Sequence, residues 1–286
     1  MSTQKYDEVI KANIAVHSKL ASLYAKTEPH FRPENLAVVD GMLKRLVAET
    51  SATTLLDLGC GTGFMINLAK HHVKHVVGVD VTRAMLDQVD TSGPAKIELH
   101  EHDTGSFPAP PGSFDLVTAY SFLHHLYDIA PTLKTAANAL RKGGRFYADL
   151  DPNFYFWEAI SALERGGKKE GYDPLVTREI DAVVHKDDQM NEEHGIPNAV
   201  LNDAEYGKNI AGGFKEDVLR ATLLEVGFTE VTFTYYWYLG QALVVNDESK
   251  PREQRLADAV LVDSVLKKVM PLSRHLYKYI GFVATK

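Results

Sequence analysis

Hydrophobic and polar positions in this chain of 286 residues follow a helical period first and a mixed one afterwards. Near the start, the helical period predicts a helix over residues 3 to 26. Its predicted apolar face consists of Ile10, Ile14, His17, Ala21 and Tyr24. A second helix is predicted from Pro33, because proline suits the first position of a helix.

From residue 54 onward, short apolar runs alternate with helical segments. The predicted strands cover residues 54–58, 75–80, 96–102, 114–120 and 145–150. The helices predicted between them cover residues 63–71, 82–89 and 129–141. This alternation predicts a parallel sheet with helices on both faces. Ligands of such sheets bind beyond the carboxyl ends of the strands, where Asp57, Asp80, Asp103 and Ser121 fall.

Composition narrows the class of protein. Hydrophobic residues at 45% and charged residues at 24% are typical of a globular chain. The net charge of −7 argues against a nucleic-acid partner. The sequence contains no signal-peptide core and no apolar stretch long enough to span a bilayer. We therefore expect a cytoplasmic protein without a membrane partner.

The most informative segment is the glycine loop after the first predicted strand. Gly59, Gly61 and Gly63 carry no Cβ, so a ligand can lie against bare backbone. The loop also opens a helix, whose free N–H groups attract a negative group. Asp80 ends the next strand, where a carboxylate can take both hydroxyls of a ribose. These features predict a nucleoside-bearing cofactor.

The spacing of the loop selects among cofactors. A dinucleotide fingerprint needs glycine where Phe64 stands, and no Gly-Lys-Ser/Thr completes a P-loop. The remaining pattern resembles motif I of the class I S-adenosylmethionine (SAM)-dependent methyltransferases: Asp57-x-Gly59-x-Gly61-x-Gly63. Residues 96–104, 113–126 and 139–149 resemble the later landmarks of that family, in order.

The resemblance implies roles for individual residues. In the family, the glycine loop holds the methionine part of SAM, and the acids equivalent to Asp80 and Asp103 hold the ribose and the adenine. The implied cofactor-binding residues are Asp57, Gly59, Cys60, Gly61, Thr62, Gly63, Asp80, Val81, Asp103, Thr104, Tyr120 and Ser121. S-adenosyl-L-homocysteine (SAH) is then the product.

The resemblance also implies the fold class, an α/β doubly wound, mostly parallel seven-stranded sheet with an antiparallel last strand. After a helix at 214–226, its last strands are predicted at 229–238 and 278–285. We expect one methyltransferase domain over 1–286. Its expected parts are an N-terminal helical cover (1–34), a SAM-binding core (35–152), a lid and acceptor insertion (153–212) and a C-terminal part (213–286) with a helical insertion at 246–272.

Two segments interrupt the regular plan. Residues 153–212 are rich in turn residues and aromatics and lack a strong period, which is typical of a lid or binding loop. Residues 246–272 contain a helix whose predicted apolar face is interrupted by Asp263 and consists of Leu256, Ala259, Val260, Leu266 and Val269.

The catalytic candidates are His124 and His125, because the loop after the fourth strand borders the methyl group in the family. Imidazole is also the side chain best suited to take a proton near neutral pH. A general base is needed only if the acceptor carries a proton that it does not lose by itself. The alternative is that one of these histidines packs or bonds locally. We expect no metal, since no carboxylate spacing supports a metal site.

The predicted acceptor contacts lie in the cover and after the fifth strand. Tyr24 is expected to cover the pocket, as an aromatic of the N-terminal helix does in small-molecule enzymes of the class; the alternative is an anchor to the core. Phe154, Phe156 and Trp157 leave the carboxyl end of the fifth strand and are expected to contact the acceptor.

The resulting interpretation is a SAM-dependent methyltransferase acting on a small organic acceptor. Two alternatives stay open: another SAM-using transferase, such as an aminopropyl transferase, and a non-catalytic SAM-binding regulatory protein. The sequence does not choose between O-, N- and C-methylation, and it leaves a homodimer open.

Overall fold

A central sheet positions the other elements of the molecule. The computed structural model describes residues 3–167 and 171–286; residues 1–2 of the predicted cover and 168–170 of the predicted insertion lie outside them. The strands are β1 Thr54–Leu58, β2 His75–Asp80, β3 Lys96–Glu101, β4 Phe114–Tyr120, β5 Leu140–Pro152, β6 Glu230–Tyr238 and β7 Tyr277–Thr285. They form one seven-stranded sheet in the order β3-β2-β1-β4-β5-β7-β6.

Strand direction confirms the predicted fold class. Strands β1 to β5 pair in parallel, and β7 pairs antiparallel with both β5 and β6. Neighbouring residues of β1 serve opposite faces of the sheet, since Leu55 packs in one apolar cluster and Leu56 and Leu58 pack in another. A sheet covered on both faces explains why its central strands are continuous apolar runs.

Helices flank the sheet and extend beyond it. Their bounds are α1 Thr3–Thr27, α2 Pro33–Thr50, α3 Phe64–Ala69, α4 Arg83–Leu86, α5 Ala130–Ala139, α6 Phe154–Gly166, α7 Pro174–Val184, α8 Lys186–His194, α9 Asn198–Ala204, α10 Tyr206–Asn209, α11 Glu216–Glu225, α12 Gln241–Val245 and α13 Arg252–Lys268. Short 3₁₀ helices lie at Pro29–Phe31, Leu123–His125 and Leu272–Leu276. The predicted helices are confirmed, although α4 is shorter than predicted. Within residues 3–167 and 171–286, no helix is both long and apolar enough to cross a membrane.

The predicted inner face of α1 is partly wrong. Ile14 is 36% exposed, whereas Val9, Asn13 and Val16 are buried. Asn13 belongs to the inner face because its Nδ2 donates to the carbonyl oxygens of Val9 and His125, at 3.0 and 2.9 Å. A hydrophobic period cannot place a face that includes a satisfied polar side chain.

The expectation of little regular structure in the insertion is also wrong, because α6 to α10 fill most of it. Local capping explains part of this: the Asn153 and Asp173 side chains accept from backbone N–H groups at the starts of α6 and α7. Further along, α9 packs against α1 through a small cluster that includes Ala12, Val16 and Leu201. The insertion and the N-terminal helix therefore form one covering layer.

Helix α13 is rotated relative to the predicted face. Val260 is 69% exposed and Val269 is 48% exposed, so neither faces the protein. Asp263, taken as an interruption, faces inward instead and accepts a hydrogen bond from the Tyr277 hydroxyl at 2.9 Å. Because that carboxylate has a buried partner, it belongs to the inner face beside Leu266.

Candidate active site

The glycine loop between β1 and α3 is held tightly to its neighbours. The N–H groups of Gly59 and Cys60 both donate to the Val79 carbonyl, at 2.8 and 3.1 Å, which ties the loop to β2. Gly59 has φ +72°, and a Cβ there would overlap the Phe122 ring. Glycine is therefore required at this position by backbone geometry and by packing together.

A cavity lies beyond the loop, at the carboxyl ends of the strands. Its empty space is about 850 Å³, a volume that includes open solvent at its mouth. Many of the predicted cofactor-binding residues line it: Gly59, Cys60, Gly61, Thr62, Asp80, Val81, Asp103, Thr104, Tyr120 and Ser121. The structure thus brings together residues from the ends of β1, β2, β3 and β4.

Asp57 and Gly63 do not line this cavity. Asp57 is buried beneath the loop, where its Oδ1 accepts from the Thr118 hydroxyl at 2.7 Å and its Oδ2 has no hydrogen-bond partner among the described residues. Burial raises the pKa of this carboxyl to about 7. Gly63 precedes α3 and packs against Val89. Both residues therefore contact other parts of the protein rather than the cavity.

Asp80 can accept a ribose without losing its present partners. Its Oδ2 accepts from the Gly61 N–H at 2.9 Å, and its Oδ1 accepts from the Thr82 N–H at 2.8 Å. A carboxylate offers about four acceptor sites, so sites remain for two hydroxyl donors. Burial raises the pKa of Asp80, and the two backbone N–H donors oppose that shift. The fixed carboxylate matches the implied ribose site.

Asp103 is held from several sides at the far end of the cavity. The Tyr6 hydroxyl of α1 donates to its Oδ2 at 2.7 Å, and the Ser106 hydroxyl donates to the same oxygen at 2.9 Å. The Gly105 N–H donates to Oδ1 at 3.1 Å. One acceptor position is left over, which fits a single donor such as an adenine amino group.

Thr62 supplies an independent sign that the cavity is built for a polar ligand. Its Oγ1 is buried and has no hydrogen-bond partner within the described chain, although the side chain lines the cavity. A buried hydroxyl without a partner is unfavourable, and a ligand carboxylate bound at the loop would supply the missing acceptor. The residues present therefore fit the amino-acid part of SAM.

Part of the cavity lining is aromatic and comes largely from the N-terminal region. Tyr24 contacts His30 and Phe31 edge to face, with ring centroids 5.9 and 6.3 Å apart. Phe64 stacks on Tyr120 at 4.5 Å. Tyr24 lines the cavity and also packs against its neighbours. Its position is therefore compatible with both roles considered for it, covering the pocket and anchoring the helix to the core.

His125 lines the cavity, whereas His124 is not among the lining residues. His125 Nδ1 lies 2.7 Å from the Ala204 carbonyl oxygen, and its ring meets the His17 ring edge to face at 4.8 Å. Burial, followed by the neighbouring His124, lowers the pKa of His125 well below its usual value, so this imidazole is neutral near pH 7.

His124 is instead engaged by a buried carboxyl. Its Nδ1 lies 2.8 Å from Asp151 Oδ1, and its backbone N–H donates to the same oxygen at 3.1 Å. Burial raises the pKa of Asp151 well above its usual value. His124 thus takes the local-bonding alternative, which leaves His125 as the catalytic candidate of the pair.

The group His124, His125 and Glu205 has the donor types of a metal site, with ligand atoms within 4.8 Å of one another. Those donors are already used in hydrogen bonds and ion pairs. His125 Nδ1 is bonded to a carbonyl oxygen, and Lys208 Nζ lies 3.5 Å from Glu205 Oε2. The ammonium of Lys208 would repel a cation at Glu205, so we describe this group as a hydrogen-bonded cluster.

The three predicted acceptor contacts after β5 are not among the cavity-lining residues. Phe156 is fully buried in a separate apolar cluster with Ile160 and Ile180. Phe154 packs under the Lys215 ammonium at 4.1 Å, and Trp157 lies 5.7 Å from the Lys208 ammonium. The prediction failed geometrically because α6 starts immediately after β5 and carries these rings away from the cavity.

The cavity is also lined by residues that the sequence did not single out as ligand contacts. Among them are Tyr6, Asn13, His17, His30, Leu126 and Tyr127. Tyr6, Asn13 and His17 are polar residues at helical spacing on the buried face of α1. Because such a face is otherwise apolar, their polarity was the signal in the sequence that could have identified them. The N-terminal helix therefore contributes polar groups to the site as well as covering it.

Comparison with known proteins supports the resemblance to methyltransferases. A family model described as a methyltransferase domain matches residues 56–148. Together with the seven-stranded sheet, this match agrees with the predicted resemblance: residues 56–148 are similar to a methyltransferase domain, and the sheet has the topology expected for class I SAM-dependent methyltransferases.

Individual relatives cover only part of the chain. The methyltransferase YcgJ of Bacillus subtilis is 26% identical over 144 residues, which span 47% of this chain and about half, 55%, of the relative. A ubiquinone biosynthesis O-methyltransferase of Aromatoleum aromaticum is 29% identical over 162 residues, spanning 53% of this chain and 68% of the relative.

A solved structure extends the likeness in fold. Phosphoethanolamine N-methyltransferase 2 of Haemonchus contortus, solved with phosphomonomethylethanolamine and SAH, superposes with a TM-score of 0.55. The alignment covers 100% of this chain and 60% of that one at 13% sequence identity. At this identity the likeness shows the shared fold alone.

Proposed function

We propose that this protein transfers a methyl group from SAM to a small organic acceptor. The observation that carries the proposal is the cavity at the strand ends, which is lined together by the glycine loop, Asp80 and Asp103. The loop would hold the amino-acid part of SAM, Asp80 its ribose and Asp103 its adenine. The sulfonium of bound SAM supplies an activated methyl group, so the protein's task is to position and desolvate the acceptor.

The acceptor would lie between the loop and the aromatic wall formed by Tyr24, His30, Phe64 and Tyr120. Among the described residues, the lining contains no lysine or arginine, and its carboxylates, Asp80 and Asp103, lie at the cofactor positions. This wall suits an uncharged, partly apolar molecule better than a phosphorylated one. The same scarcity of carboxylates on the acceptor side argues against a polyamine and hence against aminopropyl transfer.

His125 is the residue that we assign to proton removal from a hydroxyl acceptor. It lines the cavity as a neutral imidazole, and neutral imidazole can accept the proton that the acceptor oxygen loses as the methyl arrives. A general base typically contributes about 10²–10⁴-fold in rate. The ubiquinone biosynthesis O-methyltransferase among the relatives favours a hydroxyl acceptor over an amine.

Calorimetric titration with SAM and SAH, followed by transfer of labelled methyl to a panel of phenols, amines and carbon acids, tests the proposal. We expect both compounds to bind with one site per chain, and a neutral phenol to accept the label more readily than its carboxylated analogue. His125→Gln should lower turnover with a phenol and leave SAH affinity unchanged. Binding without transfer to any acceptor class would favour the regulatory alternative.

A further inference from the structure

The turn that carries His124 and His125 is in close contact with helices α9 and α10 of the insertion. The Ala204 carbonyl, at the end of α9, lies 2.7 Å from His125 Nδ1. Gly207 of α10 approaches so closely that a Cβ there would lie 2.8 Å from His124 Cα and 2.9 Å from His124 O. Helices α9 and α10 therefore dock on this turn with a fit that admits no side chain at residue 207.

A carbonyl oxygen can only accept a hydrogen bond, so the Ala204 contact requires the proton of neutral His125 to lie on Nδ1. The lone pair is then on Nε2. In the other tautomer, Nδ1 and the carbonyl would present lone pairs to each other in a buried site, which is strongly unfavourable. The backbone of the insertion thus decides which ring nitrogen can take a proton.

The docked position of α9 is itself fixed by α1. Ala204 is fully buried and packs in the cluster with Ala12 and Val16, and Lys5 Nζ lies 2.7 Å from Asp203 Oδ1. From the other side of the turn, Asn13 Nδ2 donates to the His125 carbonyl at 2.9 Å. The insertion therefore contacts the ring of His125, and the N-terminal helix contacts its backbone.

We propose that docking of the segment 198–209 is what makes His125 a base, because the Ala204 carbonyl holds the ring as the Nδ1–H tautomer with Nε2 available to the acceptor. Ala204 and Gly207 are positioning residues in this scheme, since neither lines the cavity. The inference rests on the proposed function for its kinetic consequence. The tautomer and its dependence on docking stand independently of that function.

The titratable and charged groups around the ring belong to each element packed against it. His17 faces it from α1, His124 lies beside it on the same turn with centroids 4.1 Å apart, and Glu205 Oε1 lies 3.9 Å from its Nδ1. The Ala204 carbonyl oxygen, at 2.7 Å, is nearer to His125 Nδ1 than the Glu205 carboxylate, so it is the acceptor for the Nδ1 proton.

The first test is the tautomer in the wild-type protein. Nitrogen-15 NMR of the imidazoles, with the His125 signals assigned by their loss in His125→Gln, distinguishes a protonated Nδ1 from a protonated Nε2. We expect Nδ1 to carry the proton in neutral buffer. A protonated Nε2 at His125 would overturn the proposal, whatever any variant does.

The second test is Gly207→Ala, which forces the segment away from the turn without touching the ring or the cavity. The matched control is Gly166→Ala at the end of α6, where a Cβ meets nothing within 4 Å. In Gly207→Ala we expect mixed His125 tautomers, faster amide exchange in residues 198–209 and kcat lowered about 10- to 100-fold with a phenol. The pH profile of kcat should also shift, while SAH affinity stays within about twofold.

The outcomes separate the two proposals. If residues 198–209 exchange faster in Gly207→Ala while the His125 tautomer and the pH profile match wild type, the inference is wrong. If wild-type protein fails to bind SAH or to transfer methyl, the proposed function fails, and the NMR comparison still tests the tautomer. Should Gly207→Ala not fold, the wild-type NMR experiment alone decides.

Discussion

The two halves of the cavity are built in different ways. The cofactor half consists of a glycine loop and carboxylates at the ends of neighbouring strands, within residues 59–104, together with Tyr6, which donates to Asp103. The acceptor half consists of side chains from the later part of α1 (Asn13, His17 and Tyr24), the 3₁₀ helix Pro29–Phe31 and the turn at Leu123–His125, with the insertion behind them. Backbone and strand ends fix the first half, whereas packing between distant helices fixes the second.

This difference predicts different responses to substitution. In the cofactor half, a change should act on the loop itself or on SAM affinity. In the acceptor half, a change should act on turnover and acceptor choice with little effect on SAM affinity. Variants of the loop and the strand-end acids test the first expectation, and His125→Gln and Gly207→Ala test the second.

The largest effect is expected for Gly59→Ala. The substitution places a Cβ on a residue with φ +72° and against the Phe122 ring, so both backbone strain and overpacking oppose folding. We expect the free energy of unfolding to fall by about 2–5 kcal/mol, measured by urea denaturation. Gly41→Ala, where a Cβ meets nothing within 4 Å, is the control. Equal stability of the two variants would contradict the described loop.

Asp80→Ala should affect cofactor affinity next most strongly. The change removes the acceptor assigned to the ribose and frees the N–H groups of Gly61 and Thr82. We expect SAH binding to weaken by roughly 2–4 kcal/mol in calorimetry. Asp87→Ala removes an exposed carboxylate paired with Arg83 and should leave the affinity unchanged. An unaltered dissociation constant for Asp80→Ala would place the ribose elsewhere.

The buried Asp57 carboxyl predicts a pH dependence of stability. Its pKa is about 7 in the folded protein and near 3.8 unfolded, so the folded state holds the proton more tightly. Stability from this group is full below about pH 4 and is lost as pH rises toward 7. Asp149, whose pKa burial also raises to about 7, acts in the same direction.

Asp57→Asn should therefore reduce the stability lost by the ligand-free protein between about pH 4.5 and about pH 8, by on the order of 1–3 kcal/mol. Urea unfolding at the two pH values measures this, with Asp87→Asn as an exposed control. The explanation by burial fails if the two variants lose the same stability over that range.

The smallest effect is expected for Tyr6→Phe. The variant keeps the ring and loses the hydroxyl that donates to Asp103 at 2.7 Å. SAH affinity should fall by about 0.5–1.5 kcal/mol, the net value of one hydrogen bond. Tyr172→Phe alters an exposed tyrosine and serves as the comparison. If Tyr6→Phe binds SAH as tightly as wild type, Tyr6 does not help to hold the adenine acid.

The contrast between the halves also explains what the sequence could predict. The strand bounds of β1, β2 and β4 were predicted correctly, and most cofactor candidates line the cavity, because a glycine loop and strand-end acids are local patterns. Asp57, named among the implied cofactor contacts, does not line the cavity. Its position just inside the strand end buries it, and a local pattern does not show which side chains near a strand end reach the ligand.

The acceptor half could not be predicted in the same way. Phe154, Phe156 and Trp157 were chosen for their closeness in sequence to the end of β5, but the helix that carries them packs elsewhere. Asn13 and Ala204 reach the His125 turn from positions 112 and 79 residues away in the chain. Because no local pattern links such distant segments, only the folded structure brings these partners together.

Hydrogen–deuterium exchange with and without SAH tests the central claim, that this cavity holds the adenosyl cofactor, most directly. We predict that SAH slows exchange in the loop at 59–63, at 80–82 and 103–104, and in α1, whose Tyr6 closes on Asp103. Protection should be absent in Asp80→Ala at the same SAH concentration. No change in these segments at saturating SAH, or protection confined to other parts of the chain, would contradict the account.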